Sequence, residues 1–292
     1  MNFIMLYCQE LHYAAPSYNR KCSLVQEEAA VSLAAKIRSK DAELYTDRPH
    51  RGICSDGCAA DTLFTFACEP ALIIDHGMRL MMEQQVDEFY YITMMNENHA
   101  QPSLPTGVAP ADIVKGMYHY GSQSKESAAV PVRLLGSGAI LREVIGAAEL
   151  LAQDWSVSSE IHRVTSFSEL GRDAAAVQRW NRLHPLEPPR FSHVQQQLRG
   201  AELVVAATDY VRAYPQLIAP YLESRFVTLG TDGFGRSDTR LVLRRFFEVD
   251  RHSIVLATLD ALARHGHVPK KNLAQAIQRY GIDTQPMAPW TS

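Results

Sequence analysis

The sequence lacks several features that would place it outside ordinary globular proteins. No apolar run approaches the roughly 20 residues needed to span a bilayer. The opening Met1-Asn2-Phe3-Ile4-Met5-Leu6-Tyr7 has no basic start and is too short for a secretory signal, which makes the cytoplasm the default compartment. Charge of one sign is equally scarce. Basic clusters stop at pairs such as Arg244-Arg245 and Lys270-Lys271, and a net charge of −3 with interspersed signs supplies no field for nucleic acid or acidic membranes. There is no Gly-x-Ser-x-Gly elbow and no positioned nucleophile with paired acids. Cysteine is confined to one end: Cys8, Cys22, Cys54, Cys58 and Cys68 lie in the first 68 residues, and the other 224 contain none.

What is present suits buried cores. The 292 residues are 46% apolar, enough for two domains. Residues 1–60 show no alternation of strand and helix patterns, apart from an Ala-rich stretch, Glu27 to Ile37, that can form one helix. They read as a poorly structured leader, the product of a deletion or frame change at the 5′ end of the gene. Pro70 suits the first turn of a helix carrying Ile73, Ile74, Gly77, Leu80 and Met81, and Glu88 to Met94 reads as a buried strand. Pro102, Pro105 and the polar Ser122 to Ser127 then mark a linker, with a boundary near residue 128.

From Val130 the pattern becomes strand, turn, helix. Val130 to Leu135 is a strand, followed by a glycine turn and a helix with Leu141, Val144, Ile145, Ala148 and Leu151 on one face. Further strands are predicted at Glu160 to Thr165, Leu203 to Thr208 and Arg225 to Leu229. A helix through Val211, Tyr214, Leu217, Ile218 and Tyr221 joins the last two, and helices over Ile254 to Arg264 and from Pro269 onward close the chain. An α/β fold follows, a mostly parallel sheet covered by helices on both faces.

Four groups of residues are candidates for chemistry. Gly136-Ser137-Gly138 stands between strand and helix, where backbone N–H groups can hold a phosphate. A dinucleotide site wants a third glycine where Leu141 stands and an acid where Ser166 and Phe167 stand, so a tight turn is the favoured reading. Cys54 and Cys58, with His50 and either Cys22 or Cys8, have spacing that can begin a zinc site. The second close-spaced pair is absent, which favours unpaired thiols. Asp232, Arg236 and Asp238 share a glycine-rich loop after the strand Arg225 to Leu229, at the carboxyl edge where α/β proteins place function. The acids are six residues apart without intervening oxygen ligands, which excludes a calcium loop. The structural alternative is that Asp238 caps a helix starting at Thr239, that the glycines permit three turns, and that Arg236 pairs with a carboxylate. His184, in the proline-bound Leu183-His184-Pro185-Leu186-Glu187, can donate to a partner's site but fits better as a hydrogen-bonded loop histidine.

Longer strings carry a resemblance. They are Leu229-Gly230-Thr231-Asp232-Gly233-Phe234-Gly235-Arg236-Ser237-Asp238-Thr239-Arg240 with Phe247-Glu248-Val249-Asp250, Val164-Thr165-Ser166-Phe167, Arg179-Trp180-Asn181, and Thr208-Asp209-Tyr210. Standing along the chain in family order, within a likeness of about 230 residues, they resemble the homodimeric bacterial type of the decarboxylating component of pyruvate dehydrogenase. Thr65 to Glu69, Ile73 to Gly77, Tyr90 to Thr93 and Asn96-Glu97-Asn98 are similar to the end of that family's pyrimidine-binding domain. His99 and Ala207 are departures, where relatives usually carry Tyr and often Ser.

The resemblance implies a division into a leader (1–60), the end of a pyrimidine-binding domain with a linker (61–127) and a transketolase-like C-terminal domain (128–292). It implies a family reaction, decarboxylation of pyruvate with acetyl transfer to the lipoyl acetyltransferase core, that uses thiamine diphosphate and magnesium. The family's Gly-Asp-Gly motif, activating glutamate and histidine-rich segment do not occur in this sequence. The expectation is therefore a truncated enzyme that binds no cofactor and is inactive alone, forming a homodimer or associating with full-length subunits. A non-catalytic assembly module and one chain of a split thiamine-diphosphate 2-oxo acid dehydrogenase are the alternatives.

Overall fold

The computed structural model of the chain describes residues 4–9, 58–63, 66–86, 89–95, 103–124 and 132–291. The first described segments form a parallel three-stranded sheet of order β1-β3-β2, with β1 at Ile4–Gln9, β2 at Cys58–Leu63 and β3 at Phe89–Met95. Nine residues of the expected leader, 4–9 and 58–60, are thus in strands, and the apolar Ile4-Met5-Leu6-Tyr7 is the run that can form the first. Helix α1, Cys68–Met78, has Pro70 in its first turn, where a missing N–H costs nothing. It buries Ile73 and lays Gly77 against the Tyr90 ring, which a Cβ there would meet at 2.8 Å. The short helix α2, Pro110–Val114, adds the buried Ile113.

The remaining elements build the larger layer in the order β4 (Met117–Gln123), β5 (Val132–Gly136), α3 (Leu141–Trp155), β6 (Ser159–Val164), α4 (Phe167–Leu183), α5 (His193–Gln197), β7 (Leu203–Ala207), a 3-10 segment (Pro215–Tyr221), β8 (Arg225–Leu229), α6 (Arg240–Phe246), α7 (Arg251–Arg264) and α8 (Lys270–Tyr280). The five strands are ordered β4-β6-β5-β7-β8, all parallel except β4, which runs antiparallel to β6. Alternate residues of the central strands feed opposite layers, as the two-residue period of a strand requires. Leu134, Leu203, Val205 and Ala207 pack with Val144, Ala148 and Leu151 of α3 and Ile254, Val255 and Leu259 of α7. Leu135, Val204 and Ala206 face Phe167, Leu170 and Ala174 of α4, Val194 of α5, and Ile218. Leu134 is wholly buried, and truncating it to Ala would cost about 2–5 kcal/mol.

Three expectations change. The sheet begins ahead of residue 128: Met117–Gln123 is its edge strand, with Met117 and Tyr118 buried and the following Tyr-Gly-Ser partly exposed, as an edge position allows. Between β7 and β8 there is a 3-10 segment rather than a full helix, because Pro215 and Pro220 each remove an N–H and Pro220 lies inside the segment. Helix α7 starts three residues before Ile254, since the Asp250 side chain accepts from Ser253 N–H at 2.9 Å and caps it.

A buried polar junction ties the first segments to the large sheet. Glu69 of α1 accepts from Tyr118 Oη at 2.9 Å, from the Phe66 N–H at 3.1 Å and from Arg163 Nη2 at 2.9 Å. Thr165 Oγ1 also donates to the Ile113 carbonyl at 2.7 Å.

Candidate functional site

Strand β5 sends its chain through α3 to β6 on one side, and β7 sends its chain through the 3-10 segment to β8 on the other. Between β5 and β7, therefore, the direction of winding reverses, and the loops at their carboxyl ends part. Gly136-Ser137-Gly138 leaves β5 at this point. Ser137 Oγ donates to Thr208 Oγ1 at 2.7 Å across the two strand ends, and Gly138 adopts φ +54°. The glycine is required by more than its dihedral, because a Cβ would lie 2.7 Å from Oδ1 of Asp209, two residues beyond β7.

Loops from β7 and β8 are knitted together above this point. Thr231 Oγ1 donates to the Asp209 carbonyl at 2.6 Å, and Thr231 N–H to the Tyr210 carbonyl at 2.8 Å. The Asp232 carboxylate accepts the Arg212 N–H at 2.9 Å and also takes the Arg212 guanidinium. Of the three loop glycines expected to permit turns, only Gly233 has a positive φ, +105°, and its Cα faces the Pro289 carbonyl. Gly230 serves close approach instead, since a Cβ there would meet the Tyr210 carbonyl at 2.5 Å.

Helix α6 is capped by Thr239, whose Oγ1 accepts from Val242 N–H, and not by Asp238. The helix begins one residue later than expected. Asp238 instead accepts the Thr239 N–H at 2.6 Å. Contrary to the structural alternative, Arg236 pairs with no carboxylate among the described residues; its guanidinium lies 4.2 Å over the Phe246 ring.

These elements enclose a cavity of about 220 Å³ at the reversal point. Ala139 and Ile140 come from the turn before α3, Asp209 from the loop after β7, Thr231, Gly233 and Gly235 from the β8 loop, and Arg236, Arg240 and Arg244 from the loop and α6. Both Asp209 carboxylate oxygens are shut off from water. Among the described residues they close no hydrogen bond of ordinary geometry, although the N–H groups of Ala139 and of Asp209 itself lean toward them. Burial pushes the Asp209 carboxyl up to about 6, with Arg163 and Arg244 opposing only part of that cost. Arg244 also reaches Glu143 at 3.3 Å, and Glu143 takes Arg251 Nε at 2.9 Å. Burial alone would raise Glu143, but the hydrogen bond and charge of Arg251, with Arg244, hold it below the usual carboxylate range.

Of the residues singled out in the sequence, Arg236 alone lines the cavity, while Asp232 and Asp238 lie in the same loop outside its wall. His184 is far away. It ends α4, which runs back toward the amino edge of the sheet, stacks on Trp180 at 4.4 Å and bonds through Nδ1 to the Trp180 carbonyl. His50, Cys22 and Cys54 lie outside the described residues, as do the side chains of Cys8 and Cys58. Sequence reasoning missed Asp209, Arg240 and Arg244 as site residues. Signals existed: Asp209 follows an apolar strand at a carboxyl end, and Arg236, Arg240 and Arg244 recur every four residues.

The described residues around the cavity offer no fit for thiamine diphosphate and magnesium. Among the described residues no group of three His, Cys, Asp or Glu side chains can hold a metal ion, and Asp232 and Asp238 are engaged by Arg212 and Thr239. The cavity is also smaller than the roughly 300–1,000 Å³ of sites for molecules of that size.

Residues 116–250 match the transketolase-like TK C-terminal domain. The chain is 52% identical over 227 residues to the pyruvate dehydrogenase E1 component of Pseudomonas aeruginosa, covering 77% of this chain and 26% of that protein. It is 50% identical over 220 residues to the one from Cupriavidus necator, covering 75% and 24%. The chain thus spans about a quarter of the length of these curated relatives. A solved split gene transketolase, described as an inactive beta4 tetramer, aligns with a TM-score of 0.50 at 11% identity over 89% of this chain and 92% of that one, a likeness of fold alone.

Proposed function

Because residues 116–250 are a transketolase-like C-terminal domain, in a chain related over three quarters of its length to pyruvate dehydrogenase E1 components, we propose that it supplies the C-terminal part of such a decarboxylating enzyme. The reaction served is decarboxylation of pyruvate with acetyl transfer to a lipoyl acetyltransferase core, in the cytoplasm. The observation that carries this reading is identity of 50–52% sustained over 220 or more residues, far beyond what a shared fold demands. The described residues do not fit the cofactor, so the chain's part is association: a homodimer, or docking on subunits that carry the thiamine-diphosphate domains. For its organisation we propose the division read from the sequence, 1–60, 61–127 and 128–292, with the second boundary moved back to about residue 116 so that the edge strand Met117–Gln123 falls in the last unit.

The test is to titrate the purified chain with thiamine diphosphate and magnesium, follow carbon dioxide release from pyruvate, and sediment the chain with a full-length E1 component. We expect no heat of cofactor binding, no turnover, and co-sedimentation. Turnover by the chain alone would overturn the proposal. Turnover that appears only with a second chain carrying the cofactor domains would instead identify a split enzyme.

A further inference from the structure

The amino edge of the sheet, opposite the reversal point, carries a larger opening. It is a groove of about 700 Å³ between α5 and the turns that enter β7 and β8. Buried Leu198 and half-buried Tyr221 and Leu222 give it an apolar base, while Phe191, Arg199 and Arg225 stand exposed along it. A hollow of about 280 Å³ continues it toward α4 and shares Tyr221, Leu222 and Glu223 with it. The groove alone has the size of a site for a ligand of roughly 300–1,000 Å³.

Charge says what it takes. Among the described residues neither the Arg199 nor the Arg225 guanidinium closes a hydrogen bond or an ion pair, and an open arginine fork is matched by a carboxylate. At the rim stand Arg182, one helical turn beyond the lining Gln178, and Arg190. Of the acids nearby, Glu202 is turned to His267 at 3.6 Å, which leaves Glu223 and Glu187. Four arginines against three glutamates make the surface positive. The loop 184–191 beside the groove is an independent observation. Asn181 Nδ2 donates to the Arg190 carbonyl at 2.9 Å, and its Oδ1 accepts the Arg190 N–H at 2.8 Å. The Arg190 guanidinium lies 3.6 Å over the Trp180 ring, and Gln196 Nε2 donates to the Phe191 carbonyl at 2.7 Å. This pinned loop nevertheless holds Leu186 at 99% exposure and Phe191 at 60%. Apolar side chains on a fixed backbone lose little freedom when a partner covers them, which favours docking there.

We propose that the groove and its loop dock an acidic peptide segment of a partner protein, with carboxylates on Arg199 and Arg225 and aliphatic side chains against Phe191 and Tyr221. A single small anion would leave most of the groove empty. A second copy of this chain would bring one positive surface against another, which costs several kcal/mol where like charges meet. The groove lies across the sheet from the cavity of the candidate site, and peptide binding is read on this chain alone. Its failure would leave the decarboxylase reading untouched, and the reverse also holds.

The experiment is fluorescence anisotropy of the full chain at pH 7 and low salt with two short labelled peptides, one alternating glutamate with leucine and one alternating lysine with leucine. We expect the glutamate peptide to bind with a submillimolar Kd that weakens as salt rises, and the lysine peptide to bind at least tenfold more weakly. Arg199→Gln combined with Arg225→Gln should weaken the glutamate peptide at least tenfold, and Phe191→Ser should weaken it severalfold. All three side chains are exposed, so the variants keep the fold, which circular dichroism checks. Arg172→Gln, on the exposed side of α4 and paired with Glu169, should change nothing. Sedimentation of the chain alone runs beside it: self-association that the double arginine variant abolishes would place a second copy in the groove and overturn the proposal. Equal binding of both peptides, binding unchanged in the double variant, or binding no tighter than about 10 mM would overturn it as well.

Discussion

Arg163 at the carboxyl end of β6 lies with its Nε 2.8 Å from Oε1 of Glu69 in α1, and both side chains are wholly buried although 94 residues separate them. Other donors and acceptors surround the pair, although Arg163 Nε closes no hydrogen bond of ordinary geometry. Tyr118 Oη and the Phe66 N–H also donate to Glu69, while Arg163 Nη1 donates to the Val164 and Gly136 carbonyls. Two consequences follow from elementary electrostatics. Burial and the Glu69 charge push the Tyr118 hydroxyl up, so it stays a neutral donor across the physiological range. And helix α1 cannot leave the large sheet without exposing or orphaning these charges.

Glu69→Ala should therefore destabilise the chain by about 3–5 kcal/mol, because it leaves the Arg163 guanidinium buried without its counter-charge. Glu69→Leu combined with Arg163→Met should recover a large part of that loss, leaving the Tyr118 hydroxyl and Phe66 N–H as the residual cost. Urea denaturation followed by circular dichroism measures both. A loss under 1 kcal/mol for the single variant would show that the junction does not hold the helix.

The loop cap gives a second prediction. Thr239→Ala removes the side chain that accepts from Val242 N–H and should cost about 1 kcal/mol. Asp238→Ala loses only an exposed bond to the Thr239 N–H and should cost less than half as much. Thermal melts of the two variants decide it, and an equal or reversed order would return the cap to Asp238.

Much of this fold was legible because buried parallel strands announce themselves. Leu203 to Ala207 is a continuous apolar run with every residue buried, and Arg225 to Leu229 was read with the boundaries it has. Edges were harder. Met117–Gln123 escaped notice because Tyr-His-Tyr-Gly-Ser mixes buried and exposed positions, and the Pro215–Tyr221 segment kept a helical spacing of apolar residues while two prolines denied it helical bonding. Helix α4 was not predicted. Only Phe167, Leu170 and Ala174 of its seventeen residues are buried, which leaves a narrow apolar stripe. The site was less legible than the fold, since Asp209 and the arginines converge from segments about thirty residues apart, and only the order of strands brings them to one crevice.

Two buried groups should give opposing pH dependences. The Asp209 carboxyl is raised from 3.8 to about 6, so the native state holds its proton longer than the unfolded chain; the corresponding stability is full below pH 3.8 and is lost as pH rises to about 6. Burial, with help from His119 and Arg133, lowers His162 from 6.5 to about 3, and the Glu160 carboxylate 3.8 Å away is already held by Arg133. Its stability is full above pH 6.5 and is lost as pH falls toward 3. Between pH 4 and 6 the two slopes oppose each other. Asp209→Asn should thus raise the melting temperature at pH 7, by roughly 1–3 kcal/mol of stability, and steepen the fall toward pH 4. His162→Gln should flatten that fall. Parallel melting curves for wild type and both variants across pH 4–7 would refute the pairing of these slopes.

The last prediction concerns Gly138, where backbone and cavity meet. Ala at φ +54° carries about 1 kcal/mol of backbone strain, as for any left-handed residue with a Cβ. The larger effect is contact, because the new methyl would lie 2.7 Å from Asp209 Oδ1 and 3.1 Å from its Cγ, closer than the carboxylate can tolerate. Asp209 has little room to retreat, since Ala139 and Ile140 also line that side of the cavity. Gly138→Ala should therefore cost about 2–4 kcal/mol, strain plus overpacking. Combining it with Asp209→Ala removes the clash but not the strain, so the double variant should recover all but about 1 kcal/mol of the loss. Denaturation of the two variants and the double measures this coupling. Additive losses would mean that Gly138 answers only to the turn, and that the close approach of Asp209 has no part in requiring a glycine there.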